Sequence, residues 1–231
     1  MPSEASVNSI GALVDANRRR LYDYVSKQQN PVSREEAAKA LSLPLTRAKF
    51  HLDRLVEAGL LETEYRRLSG KQGPGAGRPS KLYRRASGTI EVSLPARRYD
   101  VMGRILAAAV EQAASGGDLE AAIRAASYAQ GAAAVTPSNT ATSSPEAQLE
   151  VAGEVLARLG YEPEVTEHSV RLRNCPFDTL AQDHRGVVCA ANVHYTQGAF
   201  DAAGCQGVSA HLEPEEGYCC VKARLDPPPS D

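Results

Sequence analysis

Residues 45–61 read L-T-R-A-K-F-H-L-D-R-L-V-E-A-G-L-L. At roughly 100° per residue, Leu45, Ala48, Leu52, Leu55 and Val56 share one face, which is expected to pack on neighbouring helices. The opposite face presents Thr46, Arg47, Phe50 and Arg54, with His51 and Asp53 beside them. Such a face suits the DNA major groove. Arginine pairs with guanine O6 and N7, while phenylalanine or a threonine methyl can touch a thymine methyl. Lys49 and Arg54 are better placed for phosphates, and Gly59 is the expected helix stop.

Upstream, Asp15-Ala16-Asn17 opens a helix whose stripe of Leu21, Tyr24 and Val25 runs to Lys27, and Asn30-Pro31 breaks it. Ser33 then heads S-R-E-E, a capping box with Glu36, for a short helix ending near Leu43-Pro44. Downstream, residues 60–65 and 80–84 read as two strands. They flank S-G-K-Q-G-P-G-A-G-R-P, an extended loop by its glycine and proline content. Three helices followed by a hairpin is the order of a winged helix-turn-helix. Arg66, Arg67, Lys71, Arg78, Lys81, Arg84 and Arg85 lie on or beside the hairpin, with no acid between Tyr65 and Arg85. Arg78 at the tip is shaped for a minor groove. The candidate DNA-contacting residues are therefore Thr46, Arg47, Lys49, Phe50, His51, Arg54, Lys71, Arg78 and Lys81.

Charge divides the 231-residue chain in the same way. Residues 1–104 hold 19 Lys and Arg against 11 Asp and Glu, whereas residues 105–231 hold 7 against 17. A basic front half is the footprint of a phosphate-binding surface, and an acidic back half stays clear of it. No apolar run nears the roughly 18 residues of a membrane span, and MPSEASVNS is not a signal peptide. The expected setting is cytoplasmic, where cysteines serve as thiols or metal ligands rather than disulfides. G-x-S-x-G, H-E-x-x-H, P-loop and paired-carboxylate patterns are absent from the sequence, so no enzyme activity is expected.

Behind the hairpin, a linker at 86–95 leads to two alanine-rich helical stretches, 96–114 and 119–134, readable as dimer struts or as packing within a domain. VTPSNTATSSP (135–145) is a connector. A helix over 145–159, strands within 164–173, a long helix over 178–203 and two closing strands around Pro214–Gly217 follow. The reading is an α+β chain with a DNA-binding domain at 1–88, a helical linker and dimerisation segment at 89–142, and a small α/β sensor domain at 143–231.

All five cysteines lie in the last 57 residues, as N-C-P-F (Cys175), V-V-C-A-A-N (Cys189), G-C-Q-G (Cys205) and G-Y-C-C-V (Cys219, Cys220). Cys175, Cys189 and Cys219 are separated by 13 and 29 residues, with no C-x-x-C knuckle. Any shared ligand site would draw on a strand end, a helix and a closing strand. Alternation on that last strand puts Cys219 with Val221, Ala223 and Leu225, and Cys220 on the polar side. Buried small hydrophobes, a zinc site, a dithiol/disulfide pair, and an effector-binding domain with incidental cysteines all remain open. His168, His184, His194 and His211 are scattered surface or core-edge positions, with His184 and His194 as reserve ligands.

The segment His51–Leu60 matches the H-L-x-x-L-x-E-A-G-L core of ArsR-type winged-helix repressors. With G-R-P-S-K-L-Y-R in the wing and cysteines behind, the chain resembles the branch that includes the SufR iron–sulfur repressors. That resemblance implies a homodimer on double-stranded DNA with an inverted-repeat operator. It also implies a 4Fe-4S cluster held by Cys175, Cys189 and Cys219, the fourth ligand being Cys205, Cys220 or a non-cysteine group. The chain departs from the pattern in carrying Asn192, not an acid, three residues after Cys189.

Overall fold

The structure is a computed structural model and describes residues 3–67, 79–137 and 144–227. The chain divides into two compact units, Pro2–Val92 and Ser93–Asp231.

In the N-terminal unit, helices α1 (Glu4–Ala12), α2 (Ala16–Ser26), α3 (Arg34–Leu41) and α4 (Leu45–Glu57) accompany strands β1 (Val32–Ser33), β2 (Leu61–Arg66) and β3 (Ser80–Arg85). Local chemistry fixes the helix ends. Asp15 caps α2 through the Arg18 N–H at 2.9 Å. Ser33 and Glu36 complete the capping box, with bonds of 3.2 and 2.7 Å. Ser42 in the left-handed region (φ 53°) turns the chain from α3 toward α4. Gly59 (φ 70°) ends the α4 region, where an L side chain is strained. The antiparallel sheet has the order β1-β3-β2, with Thr63 opposite Tyr83. Leu21, Val25, Leu52, Leu55, Leu61 and Tyr83 form the core. Leu21, Leu52 and Leu55 are fully buried, and each contributes roughly 2 kcal/mol. Helix α1 and strand β1 were not anticipated. Helix α1 starts on Ser3, which accepts from the Ser6 N–H, and Ser9 ties it to the Ala58 carbonyl at 2.6 Å.

The C-terminal unit packs a four-stranded antiparallel sheet of order β4-β5-β7-β6 against helices. The strands are β4 (Pro163–Val165), β5 (Ser169–Leu172), β6 (Val208–Leu212) and β7 (Val221–Leu225). The helices are α5 (Tyr99–Ala114), α6 (Leu119–Ala133), α7 (Pro145–Arg158), α8 (Asp178–Asp183) and α9 (Arg185–Ala202). Leu149, Ala152, Val155 and Leu156 turn one face of α7 inward, toward Val170, Leu172 and Val221 of the sheet. Helix α6 crosses α9 at two glycines. A Cβ on Gly131 would stand 1.9 Å from the Tyr195 carbonyl oxygen, and one on Gly198 would stand 2.1 Å from that of Tyr128. Only glycine allows backbones this close.

Two expectations change here. Helix α5, read as part of a linker, packs within a domain: its Val101, Met102 and Ile105 lie in the same core as the sheet. The long helix expected over 178–203 is interrupted at His184 (φ −130°, ψ 43°), whose N–H closes α8 on the Leu180 carbonyl while its own carbonyl starts α9. No helix among the described residues is long and apolar enough to cross a membrane.

Candidate DNA interface and thiol site

On α4, Thr46, Arg47, Lys49, Phe50 and Arg54 are exposed, and Ala48, Leu52 and Leu55 are fully buried. Phe50 stands 54% exposed, with the Arg54 guanidinium 5.6 Å from its ring centroid. Arg54 also pairs with Glu57 at 2.8 Å. Arg47 and Lys49 carry no such ion pair among the described residues. Two placements differ from expectation. Leu45, assigned to the packing face, is 44% exposed at the first turn of α4. His51, assigned to the reading face, is 7% exposed, with Nδ1 facing Asp15 at 3.8 Å. One step of about 100° from Phe50 carries it under the helix.

Lys81 also has a different position. Its ammonium bonds Asp53 at 2.7 Å, and the Tyr83 hydroxyl donates to the same carboxylate at 3.0 Å. Burial pushes the Asp53 carboxyl up, but the bonds from Lys81 and Tyr83 outweigh it and hold it below the usual range. Lys81 thus ties strand β3 to the recognition helix, and its charge is half spent inside the protein. Arg84 is likewise paired with Glu62 at 2.8 Å. The sequence reading placed Asp53 only beside the reading face and did not single out Tyr83, yet the two link α4 to β3. Their signal would have been an acid on a basic face. Lys71 and Arg78 lie outside the described residues.

In the C-terminal unit, Cys175, Cys189, Cys219 and Cys220 line one cavity of about 410 Å³, with Arg97, Arg173 and Arg185 in its wall. Three segments supply them: the loop after β5, the start of α9, and the turn before β7. All five thiols are free. The interaction with Cys219 holds the Cys175 thiol below its ordinary range, and the interaction with Cys175 together with burial pushes Cys219 well above it. Cys189 is pushed up to about 12, by burial first and then by neighbouring Cys220.

The expected separation of Cys219 from Cys220 does not hold. Strand β7 begins only at Val221, so both cysteines sit in the turn, where neighbouring side chains need not alternate between faces. Cys205 is 1% exposed and belongs to the apolar core, away from the cavity wall. Burial pushes its thiol up to about 11. The reserve histidines do not line the cavity either. His184 is exposed at the α8–α9 break, and His194 faces a groove with Arg124 on α6.

The thiol loops are held from behind. Asn192, one turn after Cys189, is 1% exposed and donates to the Cys219 sulfur at 3.6 Å, while the Tyr161 hydroxyl donates to its carbonyl oxygen. Tyr218 is stacked under Arg171 and Arg173, at 4.7 and 5.3 Å, and donates to Glu164 at 2.9 Å. Asn174 donates to the Ala96 and Gly160 carbonyls at 3.1 and 2.8 Å. Arg97 donates to Asn174 at 2.6 Å and to the Cys175 carbonyl at 3.3 Å. The segment following the DNA-binding unit is thereby fastened to the loop that carries Cys175.

Four soft donors facing one space suit thiophilic metal chemistry, and three guanidiniums suit the negative charge that thiolates bring. Among the described residues, no three His, Cys, Asp or Glu side chains are arranged to hold a single metal ion.

Comparison with curated proteins and with solved structures found no match. The family model described as a helix-turn-helix domain matches residues 13–64, from two residues before the Asp15 cap of α2 through most of β2. The chain therefore carries, in its N-terminal unit, the helix-turn-helix domain that marks DNA-binding transcription regulators.

Proposed function

We propose that the chain is a homodimeric transcription regulator, of the SufR-like kind, whose affinity for an inverted-repeat operator is set by an iron–sulfur cluster. Cys175, Cys189 and Cys219 are the assigned ligands, and Cys220 rather than Cys205 is the fourth. The observation that carries this reading is the meeting of four thiols from three distant segments at one cavity. The cluster would supply redox and nitric oxide sensitivity.

The chain's own residues supply the rest. Arg97, Arg173 and Arg185 offset the negative charge of the thiolates, and Asn192 points an N–H at one sulfur. Arg97 and Asn174 transmit the state of the Cys175 loop to residues 93–98, which lead directly from the reading head. Exposed Leu119, Tyr128 and Val187 on α6 and α9 give a second copy an apolar surface to cover. A thousandfold change in operator affinity requires about 4 kcal/mol of coupling, within reach when two sites share it.

The test is operator titration with anaerobically purified protein before and after chelation of its iron. Brown protein whose operator affinity changes at least tenfold on chelation supports the reading. Colourless, iron-free protein that binds the operator unchanged overturns it.

A second reading has one observation in its favour: Cys175, Cys189, Cys219 and Cys220 line the same cavity as free thiols. A peroxide could oxidise two of them to a disulfide, being itself reduced to water. Peroxide-dependent operator binding by iron-free protein, abolished in Cys219→Ser, would favour it.

A further inference from the structure

The C-terminal unit has a second cavity, of about 350 Å³, whose polar lining comes from four helices. Arg98, Asp100 and Arg104 lie at the start of α5, Gln130 on α6, Arg158 at the end of α7 and Tyr195 on α9. Three arginines and one carboxylate residue line it. Arg98 and Arg104 approach Asp100 only at 3.7 and 3.8 Å, too far for good hydrogen bonds. Arg158 is exposed and makes no ion pair or hydrogen bond among the described residues.

The floor of the cavity holds the second observation. Tyr195 is 1% exposed, and its hydroxyl is buried with no hydrogen-bond partner. A buried hydroxyl left unpaired is destabilising, and such groups in folded proteins usually meet a partner. Burial makes this phenol a weaker acid than usual, Arg98 opposes that shift and Asp100 adds to it.

We propose that this cavity binds a compact dianion of the phosphate or dicarboxylate class, gripped by Arg98, Arg104 and Arg158, with the Tyr195 hydroxyl donating from below. Guanidinium forks match the paired oxygens of both groups. A cation meets excess positive charge here, and a neutral ligand leaves the arginines uncompensated. The site does not depend on the thiol chemistry, although Arg97 and Arg98, consecutive residues, line the two cavities.

The experiment is calorimetric titration of the full-length protein with inorganic phosphate and, separately, with succinate, in a buffer free of other polyanions. Saturable binding of at least one probe is expected, and the stronger of the two names the class. Arg158→Ala, an exposed and unpaired position, should weaken it at least tenfold. Tyr195→Phe should weaken it roughly tenfold, the worth of one hydrogen bond to a charged group. No saturable binding by the wild-type chain, or equal binding by Arg158→Ala, overturns the proposal. If Tyr195→Phe loses its native circular dichroism, Arg158→Gln decides in its place.

Discussion

The two units place their candidate site residues in opposite ways. In the N-terminal unit Thr46, Arg47, Lys49, Phe50 and Arg54 lie on one helix, and the helix period alone puts them on one surface. In the C-terminal unit Cys175, Cys189, Cys219 and Cys220 come from three segments, and only the closed fold brings them to one cavity. Damage to packing should therefore erase the thiol site while leaving the reading surface intact.

The sharpest way to break this contrast is the glycine crossing. Gly131→Ala or Gly198→Ala drives a methyl into a facing carbonyl and should cost more than about 3 kcal/mol. Denaturant unfolding followed by circular dichroism should show the C-terminal transition lost or shifted far down, while the N-terminal one stays in place. The mirror experiment is Leu52→Ala, which empties a fully buried position and should cost the N-terminal unit about 3 kcal/mol. Thiol reactivity in the other unit should not change.

Smaller changes sharpen it. Arg47→Ala keeps the fold and should weaken operator binding by about 1–3 kcal/mol in a mobility-shift titration, with specificity relaxed at one base pair. Asp53→Asn should cost about 1 kcal/mol, because it weakens the tie from Lys81 and Tyr83. The Asp53 carboxyl is held below its unfolded value, so its contribution is present above that value and fades as pH falls through the folded one. The Asn variant should accordingly lose less stability than wild type when melting is followed from about pH 5 down to pH 3.

Legibility in the sequence follows the same divide. The capping box at Ser33, the start at Asp15 and the stop at Gly59 are written in adjacent residues, and the helices form where those signals stand. His51 misled because it borders the reading face in projection, whereas the Asp15 side of the fold draws it inward. Lys81 misled because charge counting does not show which cations are already paired. In the C-terminal unit the periodicities located most elements, but Cys220 could not be placed without knowing that β7 starts one residue later. The Gly131–Gly198 crossing left no local signal, since it depends on two residues 67 positions apart.

Iron and acid-labile sulfide in the anaerobically purified serine series test the central claim most directly. Wild type and Cys205→Ala should each hold about four of both per chain. Cys175→Ser, Cys189→Ser, Cys219→Ser and Cys220→Ser should lose most or all of them. Iron that survives every one of those four substitutions, or that disappears with Cys205→Ala alone, would contradict a site built from thiols meeting at that cavity.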